Sequence, residues 1–149
     1  MYFDESGFEE TVSRQYAWAP RGTKIYGDVP GRNHKRTNLI MAQRRREWLA
    51  PMVFDCSCDA ELVEAWLEKM LIPELTQPSV VIMDNASYHH KGRISELLEN
   101  HGHKMLPLPP YSPDFNNIEQ SFAILKKRRE SKQPPLAVEE LLMSDSGFM

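Results

Sequence analysis

The chain has 149 residues, a formal net charge of -3 and only two cysteines. That length suits one domain with a real core and is short for two. No apolar run approaches the ~18 residues a membrane-spanning helix needs, and the first residues set acids among aromatics, so neither a membrane span nor a signal peptide is expected.

Taken in chain order, Tyr2-Phe3-Asp4 reads as a short strand that begins almost at the first residue, with Ser6-Gly7 punctuating it. "TKIYGDV" (23–29) and "RTNLIMAQ" (36–43) have strand composition on either side of the turn-rich "PGRN" (30–33), and "LAPMVFD" (49–55) is a further strand candidate. This first part is expected to be an antiparallel meander. Cys56 and Cys58, in "DCSC", would point the same way on one strand without reaching disulfide geometry, so they are expected as free thiols in a reducing compartment.

The apolar period then changes. From Asp59, a candidate N-cap, to Leu75, the residues Leu62, Val63, Trp66, Leu67, Met70 and Leu71 recur at helical spacing. "SVVIMD" (79–84) is a continuous apolar run expected as a strand buried on both faces. A helix follows at about 90–100, with Ile94, Leu97 and Leu98 as its stripe and Gly102 as its stop; "HKMLPLP" (103–109) is another strand, ended by its prolines. Helices at about 117–131 and 136–143 complete the pattern. Strands first, then alternating helices and strands, predict an α/β fold in which a mixed sheet, antiparallel then parallel, is flanked by helices, with functional groups at the carboxyl ends of the strands.

The net charge conceals an asymmetry. Nine of the eighteen Lys and Arg residues lie between Arg14 and Arg46, against the single acid Asp28, and a second basic run spans Lys126 to Lys132. Such stripes suit phosphate contacts, and Lys35, Arg36, Lys126, Lys127 and Arg128 are the candidates; the alternative is a solvated face.

Three acids fall at element ends. Asp84 closes the most apolar strand, Asp4 the first short one, and Glu119 lies in the first turn of the helix that follows the last strand. Alternation sends Glu5 to the face opposite Asp4, so at most one of that pair can join Asp84. Hard divalent cations prefer such carboxylates, and a pair of them ~3.5–4 Å apart supports in-line phosphoryl displacement with no nucleophilic side chain. Each acid also has a plainer reading: turn residues at Asp84-Asn85, a surface position for Asp4, and, with Asn116 as N-cap, a capping-box role for Glu119.

Read together, "YFDESGF" (2–8), "YAWAPRGTK" (16–24), "VVIMDNASYHH" (80–90) and "LPPYSPDFNNIEQSFAILKKR" (108–128) resemble, in that order, the catalytic domain of transposases of the IS630, Tc1 and mariner superfamily. The 34 residues between Asp84 and Glu119 match that family's spacing. The resemblance implies a ribonuclease H-like fold whose acidic triad, here Asp4, Asp84 and Glu119, binds Mg²⁺ or Mn²⁺, with two ions expected. It implies cleavage at transposon ends and strand transfer into target DNA, with Asn85, His89 and Asn116 as outer partners of the site; the plainer reading of His89 is a helix-capping histidine with no metal role. Asn117 and Phe122 stand where the family usually has proline and tryptophan. Its N-terminal helix-turn-helix has no counterpart, so residues 1–149 are expected to be one catalytic domain cut short at both ends. The expected partners are DNA and a second copy or a helix-turn-helix-bearing chain, in the bacterial cytoplasm at the nucleoid. Two other readings stay open: a catalytically idle remnant that binds DNA or a full-length transposase, and another ribonuclease H-like nuclease.

Overall fold

The computed structural model describes residues 1–9, 20–22, 35–87, 89–132 and 136–144. The strand expected at 23–29, most of the motif at 16–24, and Arg14, Lys24 and Arg32 lie outside the described residues. Five strands, β1 (Tyr2–Glu9), β2 (Arg36–Arg44), β3 (Glu47–Phe54), β4 (Val80–Met83) and β5 (Lys104–Pro107), form one sheet in the order β3-β2-β1-β4-β5. The pairs β1–β2 and β2–β3 are antiparallel, while β1–β4 and β4–β5 are parallel, which is the mixed sheet that the composition predicts.

Helices cover both faces because alternate strand residues are apolar on both. On one face Phe3, Ile40, Ala42, Val81 and Met83 pack under α1 (Ala60–Trp66) and α3 (Lys91–Asn100), through Val63, Trp66, Ile94 and Leu98. On the other, Phe8, Leu39 and Met41 meet α4 (Ile118–Ser131) and α5 (Val138–Ser144), through Ile118, Phe122, Leu125, Val138 and Leu141. Asp59 caps α1 as expected, its carboxylate accepting from Leu62 N at 2.8 Å. The helical run then loosens into a π-helical stretch, Leu67–Leu71, before α2 (Ile72–Glu74).

Two expectations are corrected. β1 does not stop at Asp4; it continues through Ser6-Gly7 because β2 pairs with it over its full length, from Tyr2↔Gln43 to Glu9↔Arg36. β4 is not buried on both faces, since Val80 is 45% exposed. The helices of the second face pack over β1 and β2, through Phe8, Leu39 and Met41, and not over β4.

Near the middle of β3 the register slips opposite Ile40 and Ala42, and Ala50 there has φ 49°, a left-handed bulge residue that is nevertheless buried. Its two backbone groups are met by side chains: Ala50 N donates to Glu74 Oε2 at 3.1 Å, and Trp66 Nε1 donates to Ala50 O at 2.8 Å. Trp66→Phe keeps most of the apolar volume and orphans that carbonyl. It is expected to cost about 1–3 kcal/mol, read as a lower denaturant midpoint at unchanged slope.

Candidate active site

β4 ends at Met83, so Asp84 emerges at the rim of the sheet. β1 lies beside it in parallel, with Tyr2 opposite Ile82, and this register brings Asp4 level with Asp84. Asp4 therefore owes its place at the rim to the end of its neighbour, not to the end of its own strand. From β5 the chain turns through Pro109 and Pro110, with Tyr111 at φ 54°, and through a 3₁₀ turn at Pro113–Phe115, into α4. That path delivers Glu119, in the first turn of α4, to a cleft of about 410 Å³ whose lining includes Asp84, Asn85, Asn116 and Glu119.

Asn116 is not the N-cap. Asn117 takes that position without a side-chain bond, Asn116 O accepts from Glu119 N at 3.1 Å, and the Asn116 side chain is buried beneath the turn. There Asn116 Nδ2 donates to Asp4 Oδ2 at 2.8 Å, while Asp4 Oδ1 accepts from Glu5 N at 2.9 Å, so both oxygens of Asp4 are held. Asp84 Oδ1 faces His89 Nε2 at 3.3 Å and accepts from Ala86 N at 3.4 Å. His89 is buried edge-on against Phe3, their ring centroids 6.2 Å apart, which fixes the imidazole behind the carboxylate. The Glu119 carboxylate makes no hydrogen bond or ion pair among the described residues; the capping-box role is absent there.

The acids feel one another. Burial, then the charges of Glu5 and Asp84 and, more weakly, Glu119, push the Asp4 carboxyl up to about 8. Asp84 goes the other way, held below the usual carboxylate range chiefly by its hydrogen bond with His89. Glu5 does point to the opposite face, as alternation requires, but it is not remote: it shares the neighbourhood of His89 and Asp84, and burial raises its carboxyl. A rim residue such as Asp84 can be approached from both faces of the sheet, which strand alternation alone does not reveal. Beyond Glu5 lies a second cleft of about 440 Å³, with Cys56 and Cys58 on its wall. Both thiols are free, and burial with the nearby Glu5 pushes Cys58 up to about 12, so it is inert at neutral pH.

The basic candidates are dispersed. Lys35 and Arg36 are exposed at the start of β2, with the Arg36 guanidinium laid across Gly7, where a Cβ would fall 1.7 Å from Arg36 Nε. Lys126 sits 5.5 Å over the Phe8 ring, Lys127 is exposed and Arg128 half-buried on the last turns of α4. Arg129 in the same run is buried, donating to the carbonyls of Leu136 and Glu9 and tying α4 to α5 and β1.

As a test of fit for a divalent cation, the cleft lining among the described residues contains two carboxylates, Asp84 and Glu119, and no Lys or Arg, while burial and the neighbouring acids push the Asp4 carboxyl up to about 8. Hard oxygen donors with an open, solvated side suit Mg²⁺ or Mn²⁺. The cage is not closed: among the described residues no three His, Cys, Asp or Glu side chains stand close enough together to hold an ion as placed. No helix among the described residues is long and apolar enough to cross a membrane.

Among solved structures, the Mos1 strand transfer complex is similar with a TM-score of 0.68 at 20% identity, over 83% of this chain and 39% of that one. The Mos1 mariner paired end complex with Mn follows at 0.63 and 19%, over 82% and 40%. The simian T-cell lymphotropic virus intasome matches at 0.53 and 14%, over 97% and 46%. This chain thus spans about two fifths of the length of the Mos1 chains. The likeness establishes the ribonuclease H-like fold. No curated protein sequence matches the chain. The model of the DDE superfamily endonucleases matches residues 1–142, nearly the whole length, and the chain belongs to that family.

Proposed function

We propose that this chain is the catalytic domain of a cut-and-paste transposase of the IS630, Tc1 and mariner kind, cleaving DNA at transposon ends and joining those ends to target DNA. Asp4, Asp84 and Glu119 are its metal ligands, for two Mg²⁺ or Mn²⁺ ions. The observation that carries the reading is the convergence at one rim: burial, then the charges of Glu5, Asp84 and, more weakly, Glu119, raise the Asp4 carboxyl to about 8, and among the described residues the cleft lining holds Asp84 and Glu119 with no Lys or Arg. A divalent ion bound there would supply Lewis acidity, easing deprotonation of the attacking water or hydroxyl and offsetting charge on the departing oxygen.

The chain's own residues prepare that place. Asn116 orients Asp4 through Oδ2, and His89 and the Ala86 N–H orient Asp84 through Oδ1. Asn85 lines the cleft beside them. Glu119 enters from a proline-stiffened turn, which limits how the first turn of α4 can approach. Lys35, Arg36, Lys126, Lys127 and Arg128 would contact phosphates. Because paired ends must be brought together, the working unit is a dimer or an assembly with a helix-turn-helix-bearing chain, and residues 1–149 are one domain of it. The solved neighbours, named as strand transfer and paired end complexes, support this reading by fold.

One observation favours the alternative of an idle remnant: the ligand cage is open. Purified chain given duplex DNA with transposon-end repeats and Mg²⁺ or Mn²⁺ separates the two. Nicking that disappears on chelation, and again with Glu119→Gln, is the expected result. Salt-sensitive DNA binding with no nicking under either ion would favour the remnant, and preferential cutting of an RNA–DNA hybrid would favour a different nuclease of the same fold.

A further inference from the structure

The turn between β2 and β3 is made of arginines. Arg44 closes β2, Arg45 and Arg46 form the two-residue turn, and Arg45 has φ 56°, a left-handed conformation usually given to glycine or asparagine in such hairpins. Arginine there is disfavoured by sterics, and nothing in the packing demands it, since Arg45 and Arg46 are both exposed. Arg44 is paired with Glu47 at 2.9 Å, which leaves two guanidinium groups at the tip.

The turn is held in place. Gln43 Nε2 donates to Arg45 O at 2.9 Å, and Gln43 Oε1 accepts from Ser121 Oγ at 2.6 Å, so the carbonyl of the arginine turn is linked by two hydrogen bonds to Ser121 of α4, two residues after Glu119. Beside the tip is a cleft of about 640 Å³ bordered by the three arginines, Glu47, Thr76 and Gln77. Thr76 and Gln77 add a hydroxyl and an amide able to donate to phosphate oxygens.

Position indicates what would be bound. Gln43 and Ile82 both lie opposite Tyr2, so Arg45 is two residues beyond that level on one side and Asp84 two residues beyond it on the other. With roughly 3.3 Å per residue along a strand and ~4.8 Å between strands, the turn and Asp84 are about 16 Å apart. A DNA strand advances ~3.4 Å per nucleotide along its axis, so that gap corresponds to about five nucleotides.

We infer that the Arg45-Arg46 turn, with Thr76 and Gln77, is a binding site for DNA backbone phosphates about five nucleotides from the cleaved position, on the same duplex that enters the Asp84 cleft. The inference rests on the DNA-cleaving reading above. The link through Gln43 and Ser121 makes the turn a fixed distance marker for the strand, set by the same helix that presents Glu119.

The test compares the chain with an Arg45→Gln/Arg46→Gln variant on matched duplexes. Loss of two phosphate contacts is expected to reduce the slope of log affinity against log salt by about 1.8, whereas Arg45→Lys/Arg46→Lys, which keeps the charges, retains most of it. Neutral methylphosphonates about five nucleotides from the cleavage position should weaken binding by the wild-type chain and leave the glutamine variant unaffected. An unchanged salt slope, or a methylphosphonate effect equal in both proteins, would overturn the inference while leaving the endonuclease reading intact. So would a variant whose only change is weaker self-association, which would make the turn a protein interface. A wild-type chain that binds no DNA would overturn both.

Discussion

Asp84→Ala is expected to abolish metal-dependent DNA cleavage while leaving the fold intact. Asp84 is half-exposed, at the end of β4 instead of within the core, so little apolar packing is lost with it. Among the described residues its hydrogen bonds reach only His89 and the Ala86 N–H, and removing them unties the loop after β4 without touching the clusters on either face. The loss in rate should exceed the 10–100-fold that removal of an outer partner of a metal ligand typically costs. That lower figure is the expectation for His89→Gln and Asn116→Ala, which leave the ligands present but less firmly oriented. A graded series, with Asp84→Ala far below the other two and all three melting cooperatively, is the expected pattern. If a folded Asp84→Ala protein cut DNA at the wild-type rate, the assignment of the site would fail. If His89→Gln alone were as damaging as Asp84→Ala, the histidine would have to touch the reacting groups itself.

Much of this layout can be read before folding, and the reasons are local. Asp59 is followed at helical spacing by Val63, Trp66 and Leu67, and Asp84 ends a continuous apolar run; each signal depends only on near neighbours. What the sequence conceals is set between distant segments. Asp4 reads as the end of a short strand because Ser6-Gly7 resembles punctuation, yet the strand is prolonged by β2, and the rim at Asp4 is created by where β4 stops. Asn116 reads as a helix cap because asparagine commonly is one, but its side chain bonds Asp4, 112 residues away, and the capping position moves to Asn117. Arg129 reads as part of a solvated basic stripe, whereas burial against two carbonyl groups makes it structural. In each case a residue type with a good local use has been taken by a tertiary contact that no window of sequence contains. Glu5 is the subtler example: alternation places it correctly, and only the rim position of Asp84 lets its charge reach the other side.

The acids that equip the site should also strain the metal-free protein, and the strain should depend on pH in a definite direction. Asp4 is pushed up to about 8, first by burial and then by Glu5, Asp84 and Glu119, while in the unfolded chain it ionises near 3.9. A folded-state value above the unfolded one means that the folded chain holds the proton more tightly. The associated stability is fully present below about pH 4 and is lost progressively as the pH rises towards 8. The difference between about 8 and 3.9 corresponds to an upper bound of about 5–6 kcal/mol, to be discounted for the solvent that still reaches the group. Asp4→Asn removes the ionisation and keeps the shape. With a chelator present, the variant and the wild type should melt together near pH 4, and by pH 8 the variant should be the more stable by a few kcal/mol. Adding Mg²⁺ at pH 8 should reverse the comparison, because an ion bound only to the folded wild type raises its stability by mass action and has lost a ligand in the variant. Cleavage should be absent in the variant throughout. Parallel stability profiles from pH 4 to 8 would show that Asp4 is not held against its neighbours' charge, and the electrostatic case for a metal at this rim would go with it.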